Sequence, residues 1–361
     1  MPGLMDAHVH PANLDVDITT VPAYPPPVFV HKVSRILEND LRLGFTTLRD
    51  AGGLDAGFRA AAAQGLINAP RLFLSIAPLT QTGGHGDKRK PGENAIIPRN
   101  SLGVFPAICD DEGQMRRAAR EMLRQGADQI KVMADGGILS PTGGPGNPQF
   151  TVRELRAAVE AAEAAGSYAM AHVYSSMAVR NCLDAGVRSI EHATLMNGET
   201  AKRLADQGAF LVPTLVAFDL LFEKADEIGL RPLWREKLLT VREGALASLA
   251  AAHEAGARIA SGSDLLGPYQ GYKGRELALK AKVMGAMNAI VSATRTTAEL
   301  LRVEHELGVI APGKVADMLV IDGNPLDDLS VFEPDSGKIL LVMKDGRIVH
   351  RSPAFPADSD A

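Results

Sequence analysis

Residues 152–192 read VRELRAAVEAAEAAGSYAMAHVYSSMAVRNCLDAGVRSIEH, and the alternation inside this stretch decides the fold. Val152–Ala165 is rich in Ala, Leu, Glu and Arg, as a surface helix is, and Gly166 supplies the left-handed residue that stops it. Tyr168–His172 follows as a short apolar run of strand length. A second helical stretch ends at Ala185-Gly186, and Arg188–His192 repeats the strand. The same unit recurs outward in both directions. Leu4–Val9, Phe45–Arg49, Arg71–Ile76, Gln129–Met133, Phe210–Thr214 and Arg258–Ser263 are further strands, with Asp111–Gln125 and Glu243–Ala255 among the helices between them. Eight strands alternating with helices predict an α/β fold, a (β/α)8 TIM barrel. A doubly wound open sheet uses the same alternation. It is disfavoured because no GxGxxG follows the first strand and eight units suit a closed barrel better.

The pattern changes after Leu307. Val315–Ile321, Lys338–Lys344 and Arg347–His350 are short β-type runs, and Asp345-Gly346 between the last two is a hairpin signal. The chain therefore divides into a barrel over 1–307, a small β-rich appendage over 308–351 and a disordered tail over 352–361. Two Pro/Gly-rich segments, Thr80–Arg99 and Gly136–Gln149, follow barrel strands and are too long for simple connectors, so they are expected to line the site.

The chain has 361 residues, is 46% hydrophobic and 22% charged, and sets 38 Lys and Arg against 43 Asp and Glu. The resulting net charge of −5 argues against a nucleic-acid partner. No apolar run is long enough to span a membrane, so no membrane association is expected. Two distant cysteines, Cys109 and Cys182, form neither a disulfide framework nor a zinc ribbon. The opening MPGLMDAHVHP lacks the features of a signal peptide, and the expected compartment is the cytoplasm.

The chemistry is written where ionisable residues meet strand ends, because a barrel carries its active site on that face. His8 and His10 are two apart and share one face of the first strand. His172 and His192 end two later strands, and Asp264 follows Ile259-Ala260-Ser261-Gly262-Ser263. Each alone is an ordinary residue; His31, His253, His305 and His350 are read as such. Together they form a ligand set for Zn²⁺ or a similar divalent ion. Lys131 sits inside the apolar run Ile130-Lys131-Val132-Met133, where an unpaired ammonium is costly. It escapes that cost by deprotonation, by a structural salt bridge, or by reaction with CO2 to a carbamate able to bridge two metals. A two-metal site would hold a bridging hydroxide, which implies hydrolysis at a carbonyl or phosphoryl centre.

With His8-Val9-His10, the strand Lys131, the single His172 and His192 and the final Asp264, the chain resembles the amidohydrolase superfamily with a binuclear centre. Leu307–Asp317 resembles that superfamily's return into its β-sandwich. The resemblance implies that His8, His10 and Asp264 bind one metal and His172 and His192 the other, with carboxylated Lys131 bridging. Asp264 would also carry the proton from the bridging water to the leaving amine. Two loops, Gln81-Thr82-Gly83-Gly84-His85-Gly86-Asp87 and Asp135–Thr142, look like those of the imidazolonepropionase-like branch, which includes Xaa-Pro dipeptidases and ochratoxin amidases. From that branch His85 takes the role of contacting the scissile carbonyl as a positively polarised donor, and Tyr174 that of contacting the substrate carboxylate. The implied function is a metal-dependent amidohydrolase. It would cleave a dipeptide or N-acyl amino acid by attack of the bridging hydroxide, releasing the C-terminal amino acid. The implied partners are a small-molecule amide or dipeptide, two divalent ions, Zn²⁺ first among them, and further copies of the chain in a homo-oligomer. The alternatives are a lactonase or phosphotriesterase on the same scaffold, or a non-enzymatic relative used as an interaction scaffold. Members of the superfamily carry half of the β-sandwich ahead of the HxH strand. Here that strand begins almost at once, so the appendage is expected to be incomplete and to lack strand partners.

Overall fold

The computed structural model describes residues 1–89, 92, 105–140 and 143–355. Parts of both site-lining loops, together with Pro141 and Thr142 and the end of the tail, therefore lie outside the described residues. Eight parallel strands form the barrel: β1 (Leu4–Val9), β2 (Phe45–Asp50), β3 (Arg71–Leu74), β4 (Ile130–Met133), β5 (Ala169–Ser175), β6 (Ser189–Leu195), β7 (Phe210–Val212) and β8 (Arg258–Ile259). β1 to β3 pair in one run and β4 to β8 in another. The two runs close on each other. Asp128 N–H donates to Leu74 O at 2.7 Å on one side, and Ala7 N–H to Ser261 O at 2.7 Å on the other. Leu79–Thr80 adds a short parallel pairing beside β4. Helices such as Glu112–Arg124, Val152–Glu163 and Pro232–Glu254 pack outside.

The last barrel strand is shorter than the sequence predicts, Arg258–Ile259 rather than Arg258–Ser263. Beyond Ile259 the chain shifts from β7 to β1: Ala260 N–H still donates to Leu211 O at 2.9 Å, and the N–H groups of Ser263 and Asp264 both converge on His8 O, at 3.2 and 2.8 Å. β5 and β6 instead run three residues past His172 and His192.

Three antiparallel strands, β9 (Met318–Ile321), β10 (Ile339–Lys344) and β11 (Arg347–Arg351), make the appendage. Asp345 (φ 51°) and Gly346 (φ 74°) are both left-handed, as a tight two-residue hairpin turn requires. The expectation of a partnerless sheet is corrected at one edge. Met1 and Pro2 pair with β9: Leu319 N–H donates to Met1 O at 2.8 Å and the Met1 amine to Leu319 O at 2.9 Å. Leu319, Ile339 and Val342 are buried in the main core, so the appendage and barrel share apolar contact. No helix among the described residues is long and apolar enough to cross a membrane.

Candidate metal centre and active site

The barrel interior is polar along one line. Arg49 on β2 reaches across to Glu191 on β6, four strands away, with Nη2 donating to Oε1 at 2.9 Å. Its Nε donates to Ala7 O at 2.6 Å, and both partners are fully buried. The other Glu191 oxygen meets His8 Nδ1 at 2.7 Å. A carboxylate at Nδ1 holds the proton there and turns Nε2, with its lone pair, toward the open end of the barrel.

At that end the predicted ligands converge. Donor atoms of His8, His192 and Asp264 all lie within 4.8 Å of one another. His10 Nε2 is 3.3 Å from Asp264 Oδ1, and Lys131 Nζ is 3.2 Å from His8 Nε2. The His172 ring faces His192, with centroids 4.7 Å apart. The backbone carbonyl of Gly52 accepts from His10 Nδ1 at 2.8 Å, and Thr214 Oγ1 lies 2.6 Å from His192 Nδ1, which fixes those rings too. His192 (φ 70°), Thr214 (φ 51°) and Asp264 (φ 52°) all hold left-handed backbone that costs about 1–3 kcal/mol each in non-glycine residues. Such strain gathers where side chains must be aimed. Gly262 lets this happen: a Cβ there would run into Val212 and the His8 backbone.

The electrostatics favour neutral ligands. Burial and the Lys131 charge press the pKa values of His8 and His172 well below the ordinary range, and burial and neighbouring imidazoles do the same to His192. Burial also penalises charge on His10, but Asp264 outweighs it and raises that ring. Burial lowers Lys131 to about 8, so about a tenth of it is the free amine near neutral pH. Among the described residues His172 Nε2 is buried with no hydrogen-bond partner. An orphan lone pair among imidazoles and a carboxylate is the donor set of a divalent ion, so these residues fit a metal.

His85 stacks on His172 with ring centroids 4.3 Å apart, and Gly137 makes room, since a Cβ there would strike the imidazole. Gly137 N–H donates to Ser140 Oγ at 2.8 Å, and the same hydroxyl lies 2.8 Å from His85 Nδ1, to which we assign its proton. That arrangement leaves the His85 proton on Nε2. Burial and Lys88 hold the ring well below its usual pKa, so it is as a neutral imidazole that His85 presents a positively polarised N–H. Tyr174 lies 4.9 Å from His172 and 5.3 Å from His192 by ring centroid, and burial keeps its phenol protonated. Its strand is held by Asp135, which accepts from the N–H groups of Tyr174 and Ser175 at 3.1 and 2.9 Å.

All eight predicted site residues line one cavity of about 1110 Å³. Sequence reasoning missed Arg49, Glu191, Asp135, Ser140 and Thr214. The first two offered a partial signal, a charge inside a strand, which does not identify its partner. It also missed the apolar wall, where Phe218 packs 6.0 Å from Tyr174 and Leu230 and Trp234 join the same cluster.

The profile of the amidohydrolase family matches residues 1–349, and the chain belongs to that family of hydrolytic enzymes. It is 29% identical over 374 residues to ochratoxinase from Aspergillus niger, an alignment covering all of this chain and 78% of the relative. Among solved structures, a prolidase complexed with N-methylphosphonate-L-proline superposes with a TM-score of 0.92 at 38% identity, covering 97% of this chain and 86% of that one. A Xaa-Pro dipeptidase with methionine in its active site gives 0.85 at 31% identity, over 97% of this chain and 86% of that one.

Proposed function

We propose that the chain is a binuclear-metal amide hydrolase releasing a C-terminal amino acid from a dipeptide or an N-acyl amino acid. The observation that carries this reading is the convergence of buried imidazoles, Asp264 and Lys131 at the open end of the barrel, beside a cavity with an apolar wall. The kinship with ochratoxinase and with prolidases supports the same substrate class. His8, His10 and Asp264 would hold one divalent ion and His172 and His192 the other. Lys131 would stand between them as a carbamate, formed when its free amine adds CO2 and releases a proton. When bound, Zn²⁺ or a similar pair of ions would acidify a water molecule and polarise the scissile carbonyl.

The chain's own residues do the rest. Asp264, which faces the cavity, takes the proton from water and delivers it to the leaving nitrogen. His85 Nε2–H donates to the carbonyl oxygen as negative charge builds there, a role suited to a neutral imidazole fixed by Ser140. The Tyr174 hydroxyl donates to the substrate carboxylate. Phe218, Leu230 and Trp234 receive an apolar acyl group or side chain and keep water away from it. The test is metal analysis of protein grown with divalent metal and CO2, followed by a panel of dipeptides and N-acyl amino acids varied at the C-terminal residue. About two ions per chain and amine release from at least one compound are expected; fewer than about one ion sinks the binuclear reading. No hydrolysis across the panel moves the assignment to lactones or phosphotriesters.

A further inference from the structure

Among the described residues four lysines and arginines line the cavity, and three of them are already committed. Arg89 grips Asp87 through Nε and Nη2, at 2.8 and 2.6 Å. Lys131 stands against His8 among the metal ligands. Arg231 is exposed at the rim and lies over the Trp234 ring, 3.9 Å from its centroid. Lys88 is different. It is half-buried, and among the described residues the one hydrogen bond its ammonium makes is to Leu139 O at 3.2 Å, which leaves two donors. Neighbouring acids do not satisfy it. Asp87 is held by Arg89 and the Gly83 N–H, while Asp17 is exposed and caps Thr19 at 3.0 Å. A cation with spare donors, facing a cavity and lacking a fixed carboxylate, is built for a carboxylate that arrives.

The position suits one part of the substrate in particular. Lys88 lies three residues beyond His85 on the same loop, and its charge is close enough to help hold both His85 and His172 neutral. If His85 faces the scissile carbonyl, an amino-acid leaving group carries its carboxylate one carbon from the scissile nitrogen. One step out along that loop is where this carboxylate falls. Leu139, whose carbonyl Lys88 holds, packs on the cluster containing Tyr174, so the two proposed anion contacts share one rim of the cavity.

We infer that Lys88 is the cationic anchor for the α-carboxylate of the substrate, selecting amides whose amine half is a free amino acid over amides of simple amines. The inference rests on the amide-hydrolase reading above. Its test pairs each acid with its decarboxylated analogue: leucyl-proline with leucyl-pyrrolidine, and N-acetyl-phenylalanine with N-acetylphenethylamine. The quantity read is the ratio of kcat/KM for the acid to kcat/KM for the analogue. In Lys88→Met this ratio is expected to fall by about 10- to 100-fold, the range for a lost hydrogen bond to a charged group, with most of the change in KM. Lys88→Arg should restore most of it. Lys88→Gln gives the same reading if the Met variant does not fold. A fall of equal size on acid and analogue, or an unchanged ratio, overturns the anchor role while leaving the amide-hydrolase reading intact. A wild-type protein that hydrolyses no member of either pair overturns both.

Discussion

Replacing Glu191 by Gln changes one oxygen for one amine and leaves the side-chain volume almost unaltered, yet it should disable the metal site from behind. Glu191 is fully buried and accepts from three donors: His8 Nδ1 at 2.7 Å, Arg49 Nη2 at 2.9 Å and Ser189 Oγ at 2.5 Å. Gln cannot accept at both ends of its amide. Being neutral, Gln leaves the Arg49 guanidinium buried without its counter-charge in either orientation, and with its NH2 group toward His8 it also pushes the imidazole proton onto Nε2. The first outcome costs about 3–5 kcal/mol, as for removing one partner of a buried ion pair. The second removes the lone pair that His8 offers at the open end of the barrel. Losing such an outer partner of a ligand typically lowers metal affinity about 10- to 100-fold. The assay has two arms: chelator competition for metal affinity, and urea unfolding of the metal-free protein for stability. Glu191→Gln should lose in both. Arg49→Met, which removes the opposing charge, should make the second substitution cheaper in the double variant than in the wild type. A Glu191→Gln protein with metal affinity within about twofold of the wild type and stability within about 0.5 kcal/mol, the range of an ordinary surface substitution, refutes the argument.

Lys131→Ala should purify with little bound metal and no measurable hydrolysis; a variant that kept both would rule out the bridging carbamate. Asp264→Asn should lower kcat by about 10²- to 10⁴-fold, the usual worth of a positioned proton carrier. A loss below tenfold would send the proton elsewhere. Glu276 is fully buried with Oε1 unpartnered, and burial raises its pKa from 4.5 to about 8. A raised acid binds its proton more tightly when folded, so the stability it contributes is present below pH 4.5 and is lost as pH rises through about 8. Glu276→Gln should therefore flatten the fall in urea-unfolding free energy between pH 5 and 8, whereas parallel curves for the two proteins would contradict this.

The sequence shows the barrel because its strands and glycine stops are local signals. β1 begins and ends at Leu4 and Val9 as the apolar run does, and β2 overshoots the expected end by one residue, Asp50. The errors lie where tertiary bonds override local pattern. His192 reads as the end of a strand, yet β6 continues to Leu195 through left-handed backbone at His192 and Ala193. Asp264 reads as following a full strand, whereas the regular strand ends at Ile259 and the chain turns to bond His8 O through Ser263 and Asp264. The convergence of His8, His10, His172, His192 and Asp264 was legible because several such residues fall at strand ends together, although each alone is ordinary. The Arg49–Glu191 line was not, since either charge alone has many explanations and the pair exists only once β2 and β6 face each other across a closed barrel. Thr214 and Ser140 carried no signal, as a hydroxyl beside an imidazole is a matter of angles. The tautomer of His85 depends on Ser140 in the same way.

The closure of β1 against the segment after β8 has a consequence for how the molecule is made. Asp6, two residues before His8, bonds Ser263 across 257 positions of sequence, and His8 O receives Asp264 N–H there. On a ribosome adding about 5–20 residues per second, the first histidines wait on the order of tens of seconds for the aspartate that completes their set. Throughout that interval His8 and His10 are an imidazole pair without the aspartate, open to whatever soft cation is nearby. If these residues hold metal as proposed, the set is complete only once Asp264 has closed on β1, and early exposure to a tightly binding competitor such as Cu²⁺ is the hazard that the order of synthesis creates.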